Sequence, residues 1–552
     1  MENANIACLL TKNAAKSPNR RAVVMPAGKD AMGRLKTTQL SFAQLDASST
    51  KVAAGFSAMG MSPGTRTVLM VPPGMDFFIL TFALFKAGLI PVVVDPGMGV
   101  KRMADCLAST RAEALVGIPK AHLFRKLFPR AFAHVRHTVS TRPLPLLRTK
   151  TLKELLSSDA TGFETLSCEP ETTAAILFTT GSTGPAKGVI YTHANFHAQI
   201  QAIQNHFDIK EDDRDLPTFP LFALFDPALG MTAFIPEMDP TKPGKADPRP
   251  ILEAIDQHAI TTMFCSPALL DRLGRYGSRE GIRLPGLRRV VSAGAPVRPD
   301  ILQSFVPVIG NPKRIHTPYG ATEAVPLMSL TAGEILSETR SFTDQGMGIC
   351  VGRPLKGVDI SIIRITDAPI ASMEDAEELP EGEIGEIIAK GPMVTSAYYE
   401  NPEADRLSKI KDQKGFWHRM GDLAWKDNSG RFWFCGRKSH RVCTEEGELY
   451  TLPCEAIFNT HKKIRRSALV GIGPEKSQTP VIIIEPTDKI SREEKSELQS
   501  ELLQLAGAFD HTSGIRHLLF HRDFPVDIRH NAKIHRESLA AWAEKKLTGK
   551  TM

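Results

Sequence analysis

The chain has 552 residues, 42% hydrophobic and 23% charged; it is too long for one hydrophobic core and too apolar for a disordered polymer. Its formal net charge of +7 is spread along the sequence and forms no concentrated basic stripe, which argues against a nucleic-acid binder. The eight cysteines include no CxxC pair, so a zinc site is not expected, and a reducing, cytoplasmic setting fits them.

Residues 1–16 carry polar and acidic side chains without a long apolar core, so no secretory signal is expected. Residues 77–86 read as a buried helix closed by Ala87-Gly88, and residues 90–94 as a fully buried strand before the turn Asp95-Pro96-Gly97. This is the most apolar stretch, but Lys86, Gly88 and Pro91 interrupt it, so no transmembrane segment is expected. Short β-type runs follow at 114–118, 174–180, 261–265 and 289–292, with helical patterns at 249–257 and 267–276. The alternation predicts an α/β class, with a large N-terminal body of mixed, partly parallel sheets flanked by helices. Past residue 350, the runs 352–364, 385–390 and 431–434 read as antiparallel strands, with Asp427-Asn428-Ser429-Gly430 as a hairpin turn. A last section holds strands at 467–471 and 481–485, an amphipathic helix at 491–508 and a closing helix at 534–546. The expected division is a body over residues 1–437 and a small, mobile α+β domain over 438–552.

The strongest chemical signal is Thr179-Thr180-Gly181-Ser182-Thr183-Gly184-Pro185-Ala186-Lys187-Gly188, directly after a predicted strand. The glycines permit close backbone approach, hydroxyls and N–H groups can surround a phosphate, and Lys187 supplies charge. The pattern differs from GxxxxGK[ST], because Gly188 follows Lys187 and no hydroxyl is placed there to hold magnesium.

This segment resembles the phosphate loop of the acyl-AMP-forming superfamily, which includes acyl-CoA synthetases, luciferases and adenylation domains. The resemblance runs along nearly the whole chain. Tyr319-Gly320-Ala321-Thr322-Glu323 is similar to the family's Tyr-Gly-x-Thr-Glu motif, Ser292-Ala293-Gly294-Ala295-Pro296 to its adenine-side loop, Gly421-Asp422-Leu423 to its Gly-Asp motif, and Gly436-Arg437 to its hinge entry. Asn531-Ala532-Lys533 sits where the family has its C-terminal catalytic lysine. The resemblance implies ATP and Mg²⁺ as cofactors. It implies that Thr179, Thr180, Gly181, Ser182, Thr183, Gly184 and Lys187 hold phosphates. It also implies that Tyr319 stacks on adenine beside Gly294, Ala295, Pro296 and Gly320, and that Thr322 bonds the α-phosphate. Glu323 would help hold the metal, Asp422 and Arg437 would contact the ribose, and Lys533 would act with Thr183, Lys187 and Glu323 in catalysis.

Several further stretches are similar to the β-lactone synthetases of bacterial long-chain olefin biosynthesis. Among them are Val94-Asp95-Pro96-Gly97, Phe222-Ala223-Leu224-Phe225 and Pro525-Val526-Asp527-Ile528-Arg529-His530. That resemblance implies ATP-dependent activation of a long-chain 2-alkyl-3-hydroxy acid, followed by attack of the substrate's own hydroxyl. It also implies assembly with a thiolase-like enzyme, a reductase and a β-lactone decarboxylase. Phe219, Phe222, Ala223 and Phe225 are candidates for the acyl wall, and His193 and His316 for the base near the substrate. Ala223 stands where many relatives have histidine, Ala532 where many have glycine, and Ser439 where the hinge usually has Asp or Lys. A long-chain acyl-CoA or acyl-AMP ligase, and a catalytically silent binding relative, remain open at this point.

Overall fold

The computed structural model describes residues 3–32, 35–144, 149–178, 186–219, 223–526 and 534–549. Among the described residues the strands form four sheets. One runs in the order Lys150–Thr151, His137–Ser140, Ala114–Gly117, Arg66–Met70, Ile90–Val94, Thr173–Phe178 and Gly188–Thr192. It is parallel except at the last pair. The helix Met75–Lys86 that crosses between two of its strands is buried on every side, as a helix apolar all round must be. Lys86, at its end, is 1% exposed and is satisfied by Asp46 Oδ1 at 2.7 Å, the Asp46 carbonyl at 2.9 Å and Thr50 Oγ1 at 2.7 Å. Without all three partners that ammonium would carry an unpaid desolvation cost.

The largest sheet is parallel from Ile315–Ala321 through Arg289–Ser292, Thr262–Cys265, Arg214–Pro217 and Thr232–Phe234 to Arg21–Lys29. It continues antiparallel on the other side through Ala324–Thr331, Ile349–Pro354, Phe432–Arg437, Gly415–Lys426, Gly385–Lys390 and Asp359–Ile363. The mixed, partly parallel α/β class expected from the sequence is the one observed. One detail is corrected: residues 352–364 form two strands, Ile349–Pro354 and Asp359–Ile363, with different neighbours. Pro354 has no N–H for a ladder and Gly357 takes φ +82°, so the run breaks between them.

After Arg437 the chain leaves this sheet. A single turn, Lys438–His440, leads to a two-stranded ribbon and then to the sheet Ile464–Ile472, Thr479–Pro486, His517–Phe520. Apolar clusters lie on both faces of that sheet, one under the helices Thr451–Asn459 and Arg492–Ala506, the other under Arg536–Thr548. Glycine joins this section to the body: an added Cβ at Gly436 would lie 2.2 Å from Thr451 Oγ1.

One acidic pair is buried in the body. Asp215, on Arg214–Pro217, and Asp226, in the helix Phe225–Leu229, are 5% and 4% exposed and interact with each other in the core. Burial pushes both carboxyls up, Asp215 to about 8, and Asp226 is further raised by the charge of Asp215. Arg289, paired with Asp213 at 2.6 Å, opposes the rise at Asp215. A carboxyl raised on folding contributes stability below its unfolded pKa and loses it as pH rises through the folded value. The chain should therefore lose thermal stability progressively from about pH 4, where an ordinary carboxyl ionises, up to about pH 8. Asp226→Asn should flatten that fall, read as Tm against pH; an unchanged slope would remove the pair as its cause.

Candidate active site

The strand Thr173–Phe178 runs up to a large cavity, and the chain returns antiparallel along Gly188–Thr192, with Phe178 opposite Gly188. The return demands glycine, since a Cβ at Gly188 would lie 2.7 Å from Phe178 Cζ. Thr179, Thr180, Gly181, Ser182, Thr183 and Gly184, between the strands, lie outside the described residues, as do Phe222 and Lys533. Lys187 lies within them: its Nζ is 5.0 Å from the centre of the Tyr398 ring, and it lines the cavity, which has a volume of about 770 Å³.

The facing wall is the hairpin of Ile315–Ala321 and Ala324–Thr331, turned at Thr322-Glu323. A Cβ at Gly320 would lie 2.5 Å from the Ala324 carbonyl, so this turn also requires glycine. Tyr319, Gly320, Thr322 and Glu323 line the cavity, as do Gly294, Ala295 and Pro296 beyond the strand Arg289–Ser292. Asp422 and Arg437 join them because the register of Gly415–Lys426 with Phe432–Arg437 sets them opposite each other. Every sequence-predicted nucleotide residue that the structure describes thus lines one cavity.

Asp422 is 4% exposed, and its Oδ2 accepts from Tyr319 Oη at 2.5 Å. Its Oδ1 lies 3.0 Å from Arg437 Nη1, yet the approach is too oblique for a hydrogen bond and no other donor reaches that oxygen. Burial raises the Asp422 carboxyl, and Arg437 and the Tyr319 hydroxyl offset part of the rise. Burial, with the neighbouring carboxylate, pushes the Tyr319 hydroxyl well up, so it stays a donor. A buried carboxylate oxygen with a free lone pair at a cavity wall suits a hydroxyl donor such as a ribose.

Glu323 Oε1 accepts from Tyr398 Oη at 2.7 Å, and its carbonyl accepts from Thr395 N at 2.8 Å. The Tyr191 hydroxyl donates to the Thr322 carbonyl. Lys409 Nζ lies 5.8 Å from the Tyr398 ring centre and 5.2 Å from that of Phe416, and it donates to the Thr395 carbonyl. Burial pulls Lys409 down to about 8, against the opposing pull of Glu323. His418, 2% exposed at the cavity wall, is pushed well below its ordinary value by burial and then by Lys409, so it is neutral. Its Nδ1 has no partner. Glu323, Asp422, Lys187 and Arg437 line the cavity together with Asp95, Glu386, Arg419, Lys438 and Arg536, a mixture of charges that suits a polyanion and its counter-ion.

Phe82, Phe85, Phe196, Phe219, Leu224 and Phe225 give the same cavity an apolar stretch of wall. Phe219 and Phe225 were expected there. Ala223, also expected there, is 1% exposed and faces a second cavity of about 320 Å³. The structure does not bring His193 or His316 to the main cavity. His193 Nδ1 accepts the Ile6 N–H at 3.1 Å, pinning the N-terminal segment, and burial lowers it to about 4. His316 packs 5.3 Å from the Phe207 ring and 6.4 Å from His206, with burial again lowering it to about 4. Proximity along the chain to a motif did not translate into access to the cavity.

The C-terminal section completes the wall through Ile534 and Arg536. A bridge between Val526 and Ile534 brackets the segment that holds Lys533, and Arg536 forks onto Glu455 at 2.6 and 3.0 Å. Sequence reasoning missed Tyr398, Lys409, His418 and Arg536. A signal existed for His418: period-two alternation places it on the same strand face as Asp422. Its cross-strand partner is Lys409.

The sequence signature of AMP-binding enzymes matches residues 10–399. An olefin β-lactone synthetase of Xanthomonas campestris is 42% identical over 546 residues, covering 98% of this chain and 97% of the relative. One of Stenotrophomonas maltophilia is 42% identical over 551 residues, covering 98% of each. Among solved structures, the amide bond synthetase McbA of Marinactinospora thermotolerans shares the fold with a TM-score of 0.80 at 23% identity, covering 98% of this chain and 99% of that one. ATP-bound MatB of Rhodopseudomonas palustris does so with a TM-score of 0.78 at 20% identity, covering 99% of each chain. The chain belongs to the AMP-binding enzyme family and is an adenylate-forming enzyme.

Proposed function

We propose that the protein activates a long-chain 2-alkyl-3-hydroxy acid with ATP and closes the acyl-AMP to a β-lactone. The observation that carries this reading is the 42% identity, over nearly the full length of both chains, to two olefin β-lactone synthetases. The main cavity supports it, because nucleotide residues and aromatic side chains line one space.

In the first step a carboxylate oxygen of the acid attacks the α-phosphorus, the bond to the β-phosphate breaks, and pyrophosphate leaves. Residues 179–184 and Lys187 hold the phosphates, Asp422 accepts from the ribose, and Lys533 brings charge to the α-phosphate from the lid formed by residues 438–552. Such donors stabilise charge that grows toward the transition state. Mg²⁺, held by Glu323 together with the triphosphate, would neutralise part of that charge. In the second step the 3-hydroxyl oxygen attacks the acyl carbonyl, the acyl–phosphate bond breaks, AMP leaves, and the hydroxyl proton passes to solvent. Holding hydroxyl and carbonyl in one bound molecule favours ring closure, and an apolar wall that excludes water protects the adenylate.

An acid lacking the 3-hydroxyl tests the second step. Pyrophosphate should be released in one turnover while acyl-AMP accumulates on the enzyme; steady AMP release equal to that of the hydroxy acid would contradict internal closure. Asp422→Asn should raise the KM for ATP about 10–100-fold, the scale of a charged hydrogen bond of ~1.5–3 kcal/mol. Steady-state kinetics at saturating acid would check this.

A further inference from the structure

Tyr398 belongs to neither nucleotide motif, yet its segment touches both. Residues 395–399 lie along the strand Gly188–Thr192. Tyr398 bridges antiparallel to Val189, Tyr399 N–H donates to the Gly188 carbonyl at 2.7 Å, and Ile190 N–H donates to the Ala397 carbonyl at 3.2 Å. The start of the same segment holds the facing hairpin turn, where Thr395 N–H and Oγ1 donate to the Glu323 carbonyl at 2.8 and 3.1 Å. Lys409 in turn donates to the Thr395 carbonyl. The Tyr398 backbone is anchored separately, its N–H donating to Asp405 Oδ1 at 2.8 Å.

The side chain repeats the link made by the backbone. Tyr398 is 5% exposed and lines the main cavity. Its hydroxyl donates to Glu323 Oε1 at 2.7 Å, and Lys187 Nζ lies over its ring at 5.0 Å from the centre, within the range of a cation–π contact. Burial and the Glu323 charge push that hydroxyl far above its ordinary value, so it stays a donor to the carboxylate. Lys187 precedes a strand of the seven-stranded sheet, and Glu323 sits at a turn of the largest sheet. One aromatic side chain therefore touches a cation and an anion that the chain supplies from different sheets.

We propose that Tyr398 is a positioning residue for adenylation: its ring orients the Lys187 ammonium and its hydroxyl orients the Glu323 carboxylate, which sets the spacing of the two groups across the triphosphate. The inference rests on the roles given above to Lys187 and Glu323 and not on which product the acyl-AMP yields.

Tyr398→Phe deletes the hydroxyl and keeps the ring, whereas Tyr398→Leu deletes both. Single-turnover pyrophosphate release should fall about 10-fold in the first, the scale of a lost hydrogen bond to a charged group. It should fall about 3–10-fold further in the second, the scale of a lost cation–π contact. Double-mutant cycles separate positioning from packing. With Glu323→Ala in place, the hydroxyl deletion should have an effect within the ~2-fold scatter of non-interacting sites. With Lys187→Met in place, the same should hold for the step from Tyr398→Phe to Tyr398→Leu. Calorimetric titration with ATP and Mg²⁺, which needs no turnover, should give the same pattern in ATP affinity. Undiminished Tyr398 factors in both backgrounds, with Glu323→Ala and Lys187→Met each impaired, would make Tyr398 a packing residue and overturn the proposal while leaving the roles of its two partners intact. Wild-type rates for Glu323→Ala and Lys187→Met would refute those roles and the proposal with them.

Discussion

Replacing Lys533 by alanine should slow acyl-AMP formation by roughly 10²–10³-fold, the loss measured when one charge-stabilising donor is removed from a preorganised site. Adenylation places negative charge on the α-phosphate and on departing pyrophosphate, and Lys187 and Arg437, which line the cavity, belong to the body. Ile534 and Arg536, which follow Lys533 in the sequence, line the cavity. The variant should keep its fold and its ATP affinity, because the interaction is made in the transition state and not in the ground state. Single-turnover pyrophosphate release checks this. A loss under 3-fold would remove Lys533 from the mechanism.

Arg536→Leu should destabilise the C-terminal section by about 3–5 kcal/mol, the cost of breaking a buried ion pair by removing one partner. Arg536 donates to both Glu455 oxygens at 2.6 and 3.0 Å, and Glu455, 4% exposed, has as its further donor the Leu469 N–H at 2.8 Å. Burial already pushes Glu455 up, and Arg536 is what opposes that rise, so the single variant leaves a carboxylate stranded in the domain. Glu455→Gln with Arg536→Leu should recover most of the loss, since removing both charges also removes the desolvation cost. Urea unfolding of the variants separates the cases. Equal instability of the single and double variants would mean that packing, and not the ion pair, carries the effect. Arg536 also anchors the end of the Lys533 segment, so the single variant should lose adenylation beyond its loss of folded protein, and the double variant should recover only stability.

Much of the body was legible because its signals are local. The helix expected at 77–86 is Met75–Lys86, and the strands expected at 90–94 and 289–292 are Ile90–Val94 and Arg289–Ser292, since apolar runs bounded by glycine and proline leave little choice. The motif around Tyr319 was legible for the same reason: its glycine is imposed by contact with the Ala324 carbonyl four residues on. What stayed hidden depends on distant partners. Nothing around Lys409 in the sequence marks it, and only the sheet places it beside Tyr398 and His418. Asp226 is an isolated acid in an otherwise apolar stretch of sequence, and only the fold brings it to Asp215 inside the core. His193 and His316 failed to reach the cavity for the converse reason, since each follows or precedes a motif but spends its ring on packing. No described helix is long and apolar enough to cross a membrane, in keeping with the interruptions seen at Lys86, Gly88 and Pro91.

The most direct measurement is mass spectrometry of the product formed from ATP, Mg²⁺ and a synthetic 2-alkyl-3-hydroxy fatty acid, with and without coenzyme A. The predicted result is a product lighter than the acid by one water, formed equally without coenzyme A, with AMP released and a β-lactone carbonyl band in the infrared. A product that forms only with coenzyme A and carries its mass would contradict the lactone reading and assign the same adenylating site to thioester synthesis.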